Sequence, residues 1–500
     1  MIDRTHRERI ANDLDTSFVV EAAAGTGKTT ALIGRMVAIL RSGRARLEEI
    51  VALTFTTKAA GEMKLRLRGE LERARREAKD PTERARFVAA LGALEAARIG
   101  TIHSFCQDLI FERPVEAGID PAAEVIEEEA AERLIERAFD PFFEARLEDP
   151  PEGIRRLLRR RGTPRQDLLR AARDLVEWRD HDAPWRFPEG FDRVASIDAL
   201  FEALVDAAAL AKLASSPDDK LLRSLGKIER FVEDTLAYEK TRPRDYDGIE
   251  AELKLLRRGW EWKDVGWGRW FAPDVTREDA RIRRDEAAAA IDAFLEQAEA
   301  DLAAHLQREL RPLIDGYAQI KARAGKLDFL DLLLSARDLL LRDPAVLAEL
   351  RGRFHAIFVD EFQDTDPVQA EILAMLASEG PIPADGGLAP GAPPPVPGKL
   401  FVVGDPKQAI YGFRRADVAL YERLKARWTA DGVELLTLST SFRARPAIQR
   451  AINTGFAPFM IGAEDGSQAR YVPLAKDRPE AEGRPSVIAL PVPRPYQPWG

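Results

Sequence analysis

Five hundred residues with 45% hydrophobic and 32% charged side chains carry ample material for buried cores, and the length suggests about three domains. With 75 basic against 84 acidic residues the formal charge is −9, which excludes a globally basic nucleic-acid footprint but not local Lys/Arg clusters. No run of eighteen apolar residues offers a membrane-spanning helix, Met1-Ile2-Asp3-Arg4-Thr5-His6-Arg7 is not a secretory leader, and the lone Cys106 rules out an internal disulfide or cysteine zinc site, so the chain reads as cytoplasmic.

In chain order, Phe18-Val19-Val20-Glu21-Ala22 predicts a strand that runs straight into Ala23-Ala24-Gly25-Thr26-Gly27-Lys28-Thr29. Leu32, Met36, Val37 and Leu40 then recur at helical spacing. Strand, glycine turn and helix in that order are the context of a phosphate-binding loop over Ala22 to Thr29, with alanine at its first position. Its glycines let backbone N–H groups curl round phosphate oxygens at a helix N-terminus. Lys28 would reach the terminal phosphates and the Thr29 hydroxyl would hold Mg2+.

Ile50-Val51-Ala52-Leu53-Thr54-Phe55 predicts a second strand, and Gly61 to Lys79 an Arg/Glu-rich helix with opposite charges three and four apart on a solvated face. From about Asp108 to Ile320, alanine, leucine, arginine and glutamate dominate, which predicts a helical domain inserted into an α/β one. Six of the eight tryptophans fall there, including Trp260, Trp262, Trp267 and Trp270, as either a stacking platform for single-stranded nucleic acid or simple packing groups. Strand signals return at Ala356-Ile357-Phe358-Val359-Asp360 and Leu400-Phe401-Val402-Val403-Gly404-Asp405. Between them, Gly380 to Gly398 is rich in Pro, Gly and Ala and predicts a flexible surface insertion. Val433 to Leu438 is a further strand leading to Ser441-Phe442-Arg443, and from about Tyr471 prolines alternate with short apolar runs. The alternation of strands and helices predicts a parallel sheet with helices on both faces.

Asp360-Glu361 sits at the tip of an apolar strand, where adjacent carboxylates are costly unless paired or metal-bound. In phosphate-loop enzymes the aspartate helps hold Mg2+. The neighbouring Glu361 can polarise an attacking water as general base, which favours a hydrolase over a phosphotransferase. Asp366-Pro367 reads as the cap and first residue of the next helix.

These segments together resemble the UvrD/Rep family of superfamily 1 helicases, within it the AddA/RecB branch of helicase–nucleases. Leu53 to Met63 is similar to motif Ia, Gly100-Thr101-Ile102-His103-Ser104-Phe105 to motif Ib, and Leu327 to Leu333 to the segment before motif II. Asp360-Glu361-Phe362-Gln363-Asp364-Thr365 resembles motif II, Gly404 to Arg414 motif III, and Ser441-Phe442-Arg443 motif IV. The resemblance implies a RecA-like fold over 1–107 and 321–430, interrupted by a helical insertion at 108–320, with a second RecA-like domain begun at 431–500. It implies that Gln363 and Gln408 sense the γ-phosphate of ATP, that Arg443 acts as an arginine finger from the second motor domain, and that Phe442 stacks on adenine. Phe55, Tyr411 and Phe413 match aromatics that contact DNA bases, while Thr56, Lys58, His103 and Arg414 fall in the motifs that meet DNA. Catalytic roles go to Lys28, Glu361, Gln408 and Arg443, and ATP and Mg2+ are the implied cofactors.

Two departures stand out. Arg4-Thr5-His6-Arg7-Glu8-Arg9 lacks the glutamine with which the family reads adenine, and the later helicase motifs and any nuclease signature are absent. The end at Pro498-Trp499-Gly500 reads as an imposed boundary. The main expectation is an ATP-dependent 3′-5′ DNA helicase or translocase of DNA repair or recombination, acting on single strands and single/double-strand junctions. The alternative is a helicase–nuclease subunit with an AddB/RecC-like partner and an exonuclease domain beyond residue 500. A non-motor ATP-binding scaffold is the third reading. Residues 1–500 by themselves are expected to bind ATP but to hydrolyse it poorly and not to unwind.

Overall fold

The computed structural model describes residues 3–488 except 182, 264, 265, 267, 385, 464, 465, 481, 482 and 484; Trp267 and the Pro498-Trp499-Gly500 end lie outside the described residues. The chain divides into two compact units, Met1–Ala123 with Phe329–Gly500, and Glu124–Asp328.

The first unit is built on β1 (Phe18–Ala22), β2 (Ile50–Thr54), β3 (Arg98–Thr101), β4 (Ala356–Val359), β5 (Leu400–Gly404) and β6 (Glu434–Leu438). They form one all-parallel sheet in the order β6-β1-β5-β4-β2-β3. β2, β4 and β5 are buried along their whole length, which is why they read as unbroken apolar runs rather than as alternating ones. Helices α1 (Arg4–Asn12), α2 (Lys28–Ser42) and α3 (Thr57–Glu77) pack with the sheet around Phe18, Leu32, Met36, Leu67, Phe358 and Phe401. Each such side chain stabilises the fold by roughly 1.5–3 kcal/mol on burial. α3 carries the expected exposed pairs Arg66–Glu62 and Arg73–Glu70, and its other face buries Met63, Leu67 and Leu71.

Arg35 of α2 is 1% exposed and serves as a buried tie. Its guanidinium donates to the carbonyls of Ile10 (3.0 Å), Asp13 (2.7 Å) and Thr16 (2.7 Å) and lies 4.8 Å from the Phe18 ring. Burial pushes its pKa down to about 10. The tie fixes the end of α1 against the strand that delivers the phosphate loop.

Three expectations differ from the structure. Glu434–Leu438, expected inside a second RecA-like domain, is the sixth strand of the first sheet, with Glu434 to Leu438 paired in register to Phe18 to Ala22. It is an edge strand that buries Leu436 and Leu438 and exposes Leu435, and an amphipathic run of that length does not reveal which sheet it joins. The Pro/Gly-rich stretch expected to be a flexible surface insertion is pinned. Arg427 donates to the carbonyls of Leu388, Ala389 and Ala392, Ser17 to that of Val396, and the Val396 N–H to Ala377. Finally, the helical unit is 124–328 rather than 108–320, because Ile102–Glu112 packs on Phe329–Arg342 within the first unit.

The second unit hangs on one 48-residue helix, Arg277–Ala324, capped by Thr276 and ended by Gly325 in the left-handed region. One cluster around Leu204, Ile228 and Ile291 packs on its first half, and another around Phe139, Leu168 and Leu310 on its second. Trp262 is a packing residue, buried with its indole N–H on the Leu256 carbonyl at 3.0 Å, whereas Trp260 and Trp270 are more than half exposed beneath Arg223 and Arg269. Inside the unit Arg156 meets Glu250 (3.0 Å), Asp301 and the Ala298 carbonyl, and Asp328 meets Lys321, Tyr317 and Arg179.

Candidate active site

β1 ends at Ala22 and α2 begins at Lys28, so Ala23 to Gly27 form the turn between them. The Thr26 N–H and hydroxyl both bond the Ala23 carbonyl (3.2 and 2.8 Å), which closes the turn. Gly25 has φ +75°, and a Cβ there would lie 2.4 Å from the Cβ of Arg443, so only glycine fits. α2 has no side-chain cap, and its first N–H groups are left for an anion.

Opposite stands the turn after β4. The Asp360 N–H bonds the Leu53 carbonyl, and Glu361 takes φ +55°, a conformation costing about 1–2 kcal/mol outside glycine. Lys28 Nζ donates to Glu361 Oε2 at 2.6 Å, and Gln363 Nε2 reaches the same oxygen at 2.9 Å. The Thr29 hydroxyl bonds the Asp360 carboxylate. Burial, then the charge of Glu361, pushes Asp360 up to about 6, and the same two causes push Asp364 up to about 6. Among the described residues, Lys28 is the cation that acts on all of this group, so Asp360, Glu361 and Asp364 are under-compensated. A hard divalent cation such as Mg2+ fits that charge and the oxygen donors of Thr29 and Asp360.

From this corner a hydrogen-bonded run leads across the strand ends. Gln363, 2% exposed, accepts from the Asp405 N–H at 2.8 Å. Gly404 permits this approach, since a Cβ would fall 2.8 Å from Gln363 Oε1. Asp405 in turn accepts from Gln408 Nε2 and Lys407 Nζ, both at 2.6 Å. Beyond Gln408 the chain emerges as Tyr411, whose ring lies 4.5 Å from Phe55 and 5.7 Å from Phe413, with the Arg414 guanidinium 5.9 Å from both Tyr411 and Phe413. Phe413 is 74% exposed. An exposed aromatic group with one arginine suits stacking on bases of any sequence. Thr56 caps α3 by accepting from the Ala59 N–H at 3.1 Å, and Lys58 is exposed beside it. His103 packs edge-on against Phe329, and burial holds its pKa below the ordinary range, so it is neutral at pH 7.

On the other flank, the Phe442 N–H bonds the Gly25 carbonyl at 2.8 Å, placing Phe442 and Arg443 against the phosphate loop. Arg7 lies 5.1 Å over the Phe442 ring, donates to the Thr26 carbonyl at 2.8 Å, and pairs with Asp3, which also accepts from the Thr440 N–H and hydroxyl. The structure thus gathers Ala22 to Thr29, Asp360, Glu361, Gln363, Gln408, Phe442 and Arg443 around one turn, and Phe55, Tyr411, Phe413 and Arg414 into one exposed group. Two contributors carry no legible signal in the sequence. Asp364 sits within the quoted motif, and its buried, charge-crowded setting has no local signature. Asp3 and Arg7 flank the place of the missing glutamine, and their partners are about 20 and 437 positions away. Cys106 is buried and its thiol pKa is pushed up, so it is inert.

The described residues contain no helix long and apolar enough to cross a membrane. Residues 3–429 match the family model described as UvrD/REP helicase N-terminal domain. The chain is 26% identical to an ATP-dependent helicase/nuclease subunit of Syntrophomonas wolfei, over 93% of this chain and 39% of that protein. It is 28% identical to the protein of the same name from Geobacillus kaustophilus, over 95% and 41%. It is 27% identical to the RecBCD enzyme subunit RecB of Escherichia coli, over 91% and 39%. The chain therefore spans about two fifths of the length of these curated relatives.

Proposed function

Because the chain belongs to the UvrD/REP helicase family, we propose that it is the ATP-driven motor segment of a DNA helicase, of the kind carried by helicase–nucleases. The observation that carries this reading is the continuous run from Lys28 and Glu361 through Gln363 and Asp405 to Gln408, ending beside the Phe55–Tyr411–Phe413 group. A change at the phosphates has a bonded route to the stacking residues.

ATP is held by the phosphate loop, with Lys28 on its terminal phosphates and its Mg2+ at Thr29 and Asp360. When Lys28 turns to a phosphate, Glu361 is released to take a proton from water as general base. Mg2+ supplies charge neutralisation on the phosphate oxygens when bound. Phe442 supports the adenine ring, and the Arg7–Asp3 pair stands where the family's glutamine is missing. Arg443, held beside Gly25, supplies charge to the departing phosphate. Phe55, Tyr411 and Phe413 stack on the strand, with Thr56, Lys58, His103 and Arg414 along its backbone. The direction of travel is 3′ to 5′. The names of the relatives favour a two-component helicase–nuclease, working on DNA ends or junctions, over a free-standing helicase.

The test is ATP hydrolysis by the chain with and without single-stranded DNA, beside Lys28→Ala. DNA-stimulated turnover lost in the variant is expected; equal rates in the two proteins would sink the motor assignment.

A further inference from the structure

The helical unit carries a cavity of about 570 Å³ that the motor chemistry does not use. It lies between the loop after the helix Pro164–Glu177 and the second half of the long helix Arg277–Ala324. Trp178 and Trp185 line it while remaining 45% and 40% exposed, and Leu175 and Ile314 add apolar wall. Such indole surface is costly to leave in water, and here two indoles face one concavity.

The loop is built rather than loose. The Gln307 side chain accepts from the Trp185 N–H at 2.7 Å and donates to the Ala183 carbonyl at 3.1 Å. Pro312 removes the helical donor to the Arg308 carbonyl, which leaves an acceptor on the turn that carries Arg308 and Arg311. Three arginines, Arg179, Arg308 and Arg311, line the cavity, and among the described residues no carboxylate does, although the chain as a whole is acidic. Arg179 is braced by Asp328, Arg311 lies 3.8 Å from Asp315, and Arg308 stacks on Phe187 at 4.4 Å.

Indole faces accept a planar ring, and guanidinium groups accept phosphate. An apolar peptide segment would use the indoles but not three arginines. We propose that this cavity takes an unstacked nucleobase of a DNA strand, with the flanking phosphates on Arg308 and Arg311. The assignment rests on the DNA-motor reading above and adds a second stacking point, separate from the Phe55–Tyr411–Phe413 group.

The experiment measures binding of a fluorescent dT20 oligonucleotide by the full chain at fixed salt. Trp178→Ala and Trp185→Ala are each expected to weaken binding about 5- to 20-fold. Trp185→Phe should retain most of the affinity, and Arg308→Ala should lower the slope of log affinity against log salt by about one. Trp260→Ala, an exposed tryptophan outside the cavity, should change nothing. Iododeoxyuridine in the oligonucleotide should crosslink to Trp178 or Trp185. Unchanged affinity in both cavity variants, or an equal loss in Trp260→Ala, overturns the assignment. So does quenching of the cavity tryptophans by free dTMP without any effect of the variants on dT20 binding. If the unaltered chain binds no oligonucleotide, the motor reading fails first; if it binds and the variants match it, only the cavity assignment fails.

Discussion

In the helical unit, Asp328 sits among Arg179, Lys321 and Tyr317. Burial alone would raise its pKa, yet the two cations and the phenol hold it well below the ordinary carboxylate range. At the tip of β4 the balance is reversed, and Asp360 and Asp364 are pushed up to about 6 by burial and by Glu361. The same contrast separates Arg156, enclosed by Glu250 and Asp301, from Lys28, which faces three carboxylates. Buried charge that is fully answered is structure; buried charge left short of a counter-ion marks a place where something binds. The difference is one of partners, since Asp328 and Asp360 are both deeply enclosed.

The sharpest way to break this contrast is on the motor side. Glu361→Gln should cut DNA-stimulated ATP turnover by about 10²–10⁴-fold while ATP still binds, measured by steady-state hydrolysis and nucleotide titration. Near-normal turnover would show that the turn after β4 is another structural ion cluster.

Next comes the helical unit. Arg156→Met should destabilise it by about 3–5 kcal/mol in urea unfolding, because Glu250 and Asp301 lose a buried partner. Adding Glu250→Gln and Asp301→Asn should recover much of that loss. A single variant as stable as the parent would mean that the network carries no more than exposed pairs do.

The smallest expected effect has the opposite sign. Asp364 has one carboxylate oxygen buried without a partner, and its folded pKa lies above the unfolded one. Its charge therefore costs little near pH 4, where it is largely protonated in the folded state, and its full penalty applies above about pH 6. Asp364→Asn should stabilise the chain by about 1–2 kcal/mol at pH 7.5 and by almost nothing near pH 4, read from unfolding midpoints across that range. The stability that Asp328 contributes runs the other way, present at neutral pH and lost as the pH falls towards its depressed value. A destabilising Asp364→Asn at pH 7.5 would erase the distinction between the two units.

The parts of this picture that were legible in the sequence are those written locally. The phosphate loop is a strand, two glycines and a lysine in succession, and Asp360-Glu361 follows an apolar run directly. Asp366 caps the next helix through the Gln369 N–H as its Asp-Pro sequence implied. What escaped depends on partners distant in sequence. Arg35 reads as a helix-surface cation and is in fact a buried tie to three carbonyls. The 434–438 strand pairs with residues more than 400 positions earlier, and Arg427, in an ordinary helix, supplies the donors that pin a Pro/Gly-rich stretch. The tryptophans of the insertion split between packing and exposure because composition does not report which face of a helix or loop each one occupies.

The pairing of β6 with β1 carries a mechanical consequence. The two strands run parallel over five residue pairs, and immediately afterwards Phe442 is bonded to Gly25 of the phosphate loop. Tension on the chain beyond Arg443 therefore meets that bond first and then loads the ladder lengthwise, with its rungs strained together rather than peeled singly. The nucleotide pocket is the first compliant element on this load path. Pulling on the following polypeptide would tug on the phosphate loop before it could strip an edge strand, so the loop is positioned to feel force as well as ligand.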